Sequence, residues 1–261
     1  MEQKVCLTIA GLDPSGGAGI IADVKTFSAF GCFAAAAVAS LTFQNTTGVF
    51  GAAHQSAETL RGQVEAVAGD LEISAVKTGM LPTREIIDET ARLVMEFGLK
   101  NLVVDPVVRS TSGFDLINDE ALRVLIEKLF PLSDVITPNI PEAERITRMT
   151  IKTPEDVEKA ARLMQSMGAR NVLIKGGHLE GLEARDFLFA GPERFTFEAE
   201  FIRTTATHGT GCTLAAAITA NLALGKGLAD AVRIAKDFVT EAIRTAQHIG
   251  HGHSPINIQP V

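Results

Sequence analysis

Short runs of apolar residues recur along the chain, each followed by a stretch whose apolar positions return every three to four residues. The runs near residues 5–10, 35–43, 75–78, 102–105, 135–137 and 172–175 are continuous, the pattern of strands covered on both faces. Between them, helical spacing predicts helices at about 19–30, 57–69, 83–97, 119–129 and 154–167. This alternation predicts an α/β fold in which a mostly parallel sheet carries helices on both sides. At 186–202 the rhythm changes to two β-like segments around Ala190-Gly191-Pro192-Glu193, which predicts an antiparallel hairpin at a sheet edge. Two longer helices, at 212–224 and 228–249, precede a glycine-rich tail, Gly250-His251-Gly252-His253-Ser254-Pro255. No Pro/Gly/Ser-rich linker interrupts the pattern, so residues 1–261 read as one domain.

Composition narrows the classes of function. With 46% hydrophobic and 21% charged residues, the 261-residue chain can bury a sizeable core. A formal net charge of −7 disfavours a nucleic-acid surface, which needs clustered Lys and Arg. No apolar stretch approaches the roughly 20 residues that span a bilayer, and no basic segment leads into a long apolar core at the start. A cytoplasmic location and no membrane partner are therefore expected. The three cysteines show no metal-ligand spacing; Cys6 and Cys32 read as small core residues, whereas Cys212 lies between glycines and a helix start.

In an open α/β sheet ligands bind beyond the carboxyl ends of the strands. The first strand runs into Gly11-Leu12-Asp13-Pro14-Ser15-Gly16-Gly17-Ala18-Gly19, which is neither a P-loop nor a dinucleotide fingerprint and reads equally as turn punctuation or a binding loop. Later strands end in Lys77-Thr78-Gly79-Met80, in Asp105-Pro106-Val107-Val108 and in Thr137-Pro138-Asn139-Ile140-Pro141-Glu142. Carboxylates there suit Mg²⁺, although Asn139 and Glu142 fit a helix capping box as well. Lys175 could neutralise a phosphate or be an exposed strand-end lysine. The segment Thr207-His208-Gly209-Thr210-Gly211-Cys212-Thr213 opens an Ala-rich helix. Orphan N–H groups and the helix dipole make such a start an anion hole, and the same setting lowers a thiol pKa. Cys212 is thus either a reactive thiol or a packed one. The histidines lack a metal spacing, and His251 and His253 are either solvated or folded over the site.

Taken together, these motifs, with Asp23-Val24-Lys25-Thr26-Phe27, Gln44-Asn45-Thr46-Thr47-Gly48-Val49 and Lys175-Gly176-Gly177-His178-Leu179, resemble the hydroxymethylpyrimidine/phosphomethylpyrimidine kinases of thiamin biosynthesis, within the ribokinase-like superfamily. The resemblance implies a Rossmann-like sheet, ATP with Mg²⁺, and two successive phosphorylations, of a pyrimidine alcohol and of its monophosphate. It implies that Gly11, Asp23, Gln44, Met80 and Val107 surround the pyrimidine. Asp105 and Glu142 would hold Mg²⁺, with Asn139, Lys175, Thr207 and Gly209 toward the nucleotide. Gly209, Gly211 and the Cys212 backbone would form the anion hole, with Lys175 beside the transferred group. Sugar kinases of the superfamily place Asp where this chain has Cys212, and Arg109 is an unexpected charge. The family and the hairpin also point to a homodimer. Two alternatives stand: a pyridoxal/pyridoxine or dual-specificity kinase of the same subfamily, and a non-catalytic vitamer-binding regulator.

Overall fold

A computed structural model describes residues 3–108, 115–176 and 183–259 of the chain. Among the described residues nine strands form one sheet in the order β3-β2-β1-β4-β5-β6-β7-β8-β9. The parallel part contains β1 (Val5–Leu12), β2 (Phe33–Asn45), β4 (Ile73–Thr78), β5 (Leu102–Val104), β6 (Val135–Ile136) and β7 (Asn171–Lys175). Each edge is closed by an antiparallel pairing: β3 (Gly48–His54) against β2, and the β8 (Glu183–Ala190) and β9 (Glu193–Glu200) hairpin against β7.

Side chains of the central strands alternate between two cores, as a pleated strand requires. Leu102, Val104, Val172 and Ile174 join the larger core, while Val103 and Leu173 face the other side. Helices α2 (Ala57–Ala68), α3 (Arg84–Glu96), α4 (Asp119–Leu129), α5 (Ile140–Thr147) and α6 (Pro154–Ser166) cover the first face. Helices α1 (Gly19–Ala29), α7 (Thr210–Ala223) and α8 (Leu228–Arg244) cover the second. The Ala-rich surface of α7 is buried along most of its length, and small side chains let it lie close to both its neighbours and the sheet. Cys6 and Cys32 are buried free thiols in the layer beneath α7.

Three elements differ most from the expected pattern. Strand β3 is an addition: Gly48, Gly51 and two alanines in Gly48–His54 leave no apolar run to read. It pairs antiparallel with β2 after a turn in which the Asn45 side chain accepts from the Thr47 N–H and hydroxyl. Helix α5 hides behind Pro141, which sits in the first turn, where no N–H is required. The capping box is present, with the Glu142 amide donating to Asn139 Oδ1 and the Asn139 amide to Glu142 Oε2, each at 2.8 Å. Helix α8 ends at Arg244, short of the expected residue 249. The tail leaves the helix axis to meet the β2–β3 turn, where the His253 amide donates to Thr46 O at 2.8 Å. The His251 and His253 side chains are exposed.

Phe130, in the short 3-10 turn after α4, has no exposed surface and packs in the larger core. Replacing it by Ala removes its buried area and leaves a cavity, so Phe130→Ala is expected to lower stability by about 3–5 kcal/mol, read as a lower urea midpoint at unchanged m-value.

Candidate active site

All six parallel strands deliver residues to one cavity of about 1440 Å³ at their carboxyl ends. Gly11, Gln44 and Met80 line it on the β1, β2 and β4 side; Asp105, Val107, Asn139, Glu142 and Lys175 line it on the β5 to β7 side. Thr207 and Gly209 reach it from the loop before α7, and Gly211 and Cys212 from the first turn of that helix. Gly11 and Met80 are in contact, since a Cβ on Gly11 would lie 3.0 Å from Met80 Sδ. Gln44 reaches the cavity from the end of β2, beside Thr42.

Asp23 does not line the cavity. It is completely buried beneath the wall, where its Oδ2 accepts from Lys77 Nζ at 3.0 Å and from the Thr8 hydroxyl at 2.7 Å. A carboxylate on α1 faces Lys77 because both sit in the layer between α1 and the sheet, a juxtaposition that no local pattern encodes. Burial alone would lower the Lys77 ammonium, but Asp23, with Cys212 and Asp105, holds it above its ordinary value.

At the other end, Lys175 Nζ lies 3.0 Å from Asp105 Oδ1 and 3.9 Å from Glu142 Oε2. Asp105 Oδ1 also accepts from the Thr137 hydroxyl at 3.0 Å. Burial pushes the Glu142 carboxyl up to about 7; Lys175 pulls it back and Asp105 adds to the rise. Among the described residues no group of three His, Cys, Asp or Glu could hold a metal. Asp105 and Glu142 are hard oxygen donors already shared with a lysine, which fits an ion held mainly by phosphate oxygens and water and does not fit a protein cage.

Helix α7 begins at Thr210, two residues before the expected start, so Gly211 and Cys212 occupy its first turn, where amides have no acceptor within the helix. Gly209 caps it in the left-handed region, φ 86°, and a Cβ there would collide with Gly17 O. The two glycine loops therefore touch, and only glycine permits it. A Cβ on Gly211 would lie 3.3 Å from Lys175 Nζ and 4.0 Å from Asp105 Oδ2, so the positive helix end, the lysine and the aspartate converge on one point. Cys212 lines the cavity, yet its thiol is not activated. Burial pushes it up to about 11, with Lys77 and a hydrogen bond from the Gly19 backbone pulling down and Asp23 and Asp105 pushing up. The expectation that this position lowers the thiol is corrected: burial, with Asp23 and Asp105 nearby, raises it.

Two further pairs were not singled out in the sequence. His208 Nε2 lies 2.7 Å from Asp13 Oδ2, joining the two loops, and Lys236 of α8 lies 2.7 Å from Asp186 Oδ2 at the cavity's β8 side. A lysine inside the α8 apolar stripe was the available signal for the second. Arg109 and His178 lie outside the described residues.

The model of the family described as phosphomethylpyrimidine kinase matches residues 13–257. The chain belongs to that family. It is 47% identical over 258 residues to the hydroxymethylpyrimidine/phosphomethylpyrimidine kinase of Bacillus subtilis, covering 98% of this chain and 95% of that one. It is 45% identical to the thiamine biosynthesis bifunctional protein ThiED of Geobacter sulfurreducens, covering 96% of this chain and 51% of the longer protein. Among solved structures, the phosphomethylpyrimidine kinase of Clostridium difficile superposes with a TM-score of 0.82 at 43% identity, covering 92% of this chain and all of that one. A Bacillus subtilis pyridoxal kinase in complex with ADP superposes with a TM-score of 0.90 at 36% identity over 98% of both chains. The Staphylococcus aureus pyridoxal kinase in complex with AMP-PCP and pyridoxal superposes with a TM-score of 0.90 at 32% identity over 98% of this chain and 94% of that one. The ribokinase-like fold is thus shared with kinases of both substrate names. No described helix is long and apolar enough to cross a membrane.

Because the thiolate is the nucleophile and Cys212 is a thiol below about 11, its alkylation by iodoacetamide is expected to be slow at pH 7 and to climb steadily as the pH rises toward 11. Peptide mass mapping reads this, with buried Cys6 and Cys32 as internal references.

Proposed function

We propose that this phosphomethylpyrimidine kinase family member moves the γ-phosphoryl group of ATP first to the hydroxymethyl oxygen of 4-amino-5-hydroxymethyl-2-methylpyrimidine and then to the phosphate of the product, yielding the diphosphate used in thiamin biosynthesis. The observation that carries the reading is the convergence of Lys175, Asp105 and the first turn of α7 at one end of a cavity whose other end is lined by Gln44, Met80 and Gly11. Phosphoryl transfer is mainly positioning and charge stabilisation, and those groups supply both.

The Gly209, Gly211 and Cys212 amides and Lys175 would receive the negative charge of the transferred group, with Asn139 and Thr207 toward the nucleotide. Asp105 and Glu142 would hold Mg²⁺, which would supply positive charge to offset that of the phosphates. Gln44 carries both a donor and an acceptor, a match for the adjacent amino group and ring nitrogen of the aminopyrimidine. In the first step the new O–P bond forms as the β,γ-bridging bond breaks, and the hydroxyl proton must leave. A thiolate at Cys212 would take it, a strong base present in small amount at neutral pH. In the second step the nucleophile is already an anionic phosphate and needs no base.

The pyridoxal reading stands beside this one because the ADP-bound pyridoxal kinase superposes over nearly the whole chain. Initial rates of ATP consumption with the pyrimidine alcohol, its monophosphate, pyridoxal and pyridoxine test both, the pyrimidine alcohol being expected to give the highest kcat/KM among the three alcohols. Absence of turnover with all four would favour a binding protein. Cys212→Ala is expected to reduce the first phosphorylation about a hundredfold, the scale of general-base catalysis, and the second by less than about threefold. The wild-type first step should climb with pH toward about 11, and the variant's should not; equal losses in both steps would remove the base role. A homodimer completes the reading, supported by the exposed Phe43 and Phe50 of the β2–β3 edge. Sedimentation velocity at micromolar concentration is expected to give twice the chain mass, and Phe50→Asp to give the monomer.

A further inference from the structure

The hydrogen-bond network behind Gln44 leaves its carboxamide one consistent orientation. Asp13 is an acceptor on every side: Oδ1 takes the Ser15 amide at 2.8 Å and the Ser15 hydroxyl at 2.7 Å, and Oδ2 takes the Ala18 amide at 3.0 Å. Burial would push this carboxyl up, yet the hydrogen bonds from His208 and Ser15 outweigh it and hold it below its usual range. A carboxylate 2.7 Å from His208 Nε2 requires that this nitrogen carry a hydrogen. Gln44 Nε2 lies 3.3 Å from the same nitrogen, which sets two donors face to face. Meanwhile the single Thr42 hydroxyl hydrogen faces two acceptors, Leu12 O at 3.0 Å and Gln44 Oε1 at 3.1 Å. Turning the carboxamide by 180°, which its near-isosteric ends allow, replaces two facing donors with an acceptor beside a donor. Thr42 then donates to Leu12 O, the Gln44 amide donates to Thr42 Oγ1, and the Gln44 oxygen shares the His208 Nε2 hydrogen, whose shorter bond goes to Asp13.

We propose that the Asp13–His208 pair is a positioning pair that locks the Gln44 carboxamide with its oxygen toward His208 and its nitrogen toward Thr42, and so selects an aminopyrimidine over a pyridoxal ring. Locked in this way, Gln44 keeps one N–H and one lone pair for the ligand, at fixed places. An aminopyrimidine offers an amino donor beside a ring-nitrogen acceptor and pairs with both. The pyridoxal ring has no amino group beside its nitrogen. Without the lock the carboxamide can turn to suit either ring, and discrimination falls. The inference deepens the proposed function and rests on Gln44 facing the substrate ring.

The test compares wild type with His208→Leu, which removes the donor, His208→Gln, which restores an N–H to the same place, and Asp13→Asn, which frees the imidazole nitrogen from its obligation to donate. For each, kcat/KM is measured with hydroxymethylpyrimidine and with pyridoxal, together with KM for ATP, the melting temperature and, by calorimetry, the Kd of each ring. The preference for the pyrimidine is expected to fall about tenfold in His208→Leu and Asp13→Asn, the scale of one hydrogen-bonding mismatch, and to return in His208→Gln. A rise in ATP KM with the ring preference unchanged in both variants would assign the pair to loop structure alone and overturn the proposal. Wild type that neither binds nor phosphorylates the aminopyrimidine would overturn the proposed function and this inference together, whereas normal wild-type turnover with an unchanged variant preference overturns only the inference. If His208→Leu does not fold, Asp13→Asn alone decides by the same ratio.

Discussion

The site depends on charge that is buried and paired where the parallel strands end. Lys77 with Asp23, Lys175 with Asp105 and Lys236 with Asp186 lie at 3.0, 3.0 and 2.7 Å, each pair largely or wholly removed from water. An unpaired buried charge is costly, and removing one partner from such a pair typically costs about 3–5 kcal/mol. The pairs therefore constrain one another's surroundings: each lysine must keep its aspartate, and each strand end must stay where the partner can reach it. Burial of so much charge is tolerated because each of these lysines keeps an aspartate within hydrogen-bond distance.

Around that rim the two glycine-containing loops must meet. The Gly17 carbonyl approaches Gly209 so closely that no Cβ fits, and the Asp13–His208 pair ties the same loops by side chains. The C-terminal tail holds the arrangement from outside, with the His208 amide donating to Ser254 O at 3.2 Å and the Ile256 amide to His208 O at 3.3 Å. A residue next to the α7 cap is thus fixed by contacts from the first loop, from β2 and from the end of the chain. Such preorganisation lets helix-end amides act on charge without reorganising first.

The mostly parallel character of the sheet, the strand ends and most helices were legible because their signals are local. Continuous apolar runs, capping residues such as Thr83 and Thr153, whose side chains accept from the third residue of their helices, and the turn at Gly191 each act over a few residues. Strand β3 was not legible, since its glycines and alanines carry no run and its pairing is imposed by β2. Helix α5 was half legible, its capping box readable but its existence obscured by Pro141. Among candidate site residues, Gln44, Lys175, Gly209 and Cys212 line the cavity, while Asp23 sits beneath it, a difference of one layer that no spacing encodes.

The sequence by itself determined the α/β class, the positions at which chemistry could reside and, through ordered motifs along nearly its whole length, the family. Those properties depend on local backbone preference and on residue identity. Tertiary structure decided which charges face each other, that Asp23 serves Lys77 and Asp13 serves His208, and that the Cys212 thiol stays protonated near neutral pH. These depend on desolvation and on Coulomb interactions across many tens of residues of chain, and a field of that kind exists only once the strands and helices have closed around it.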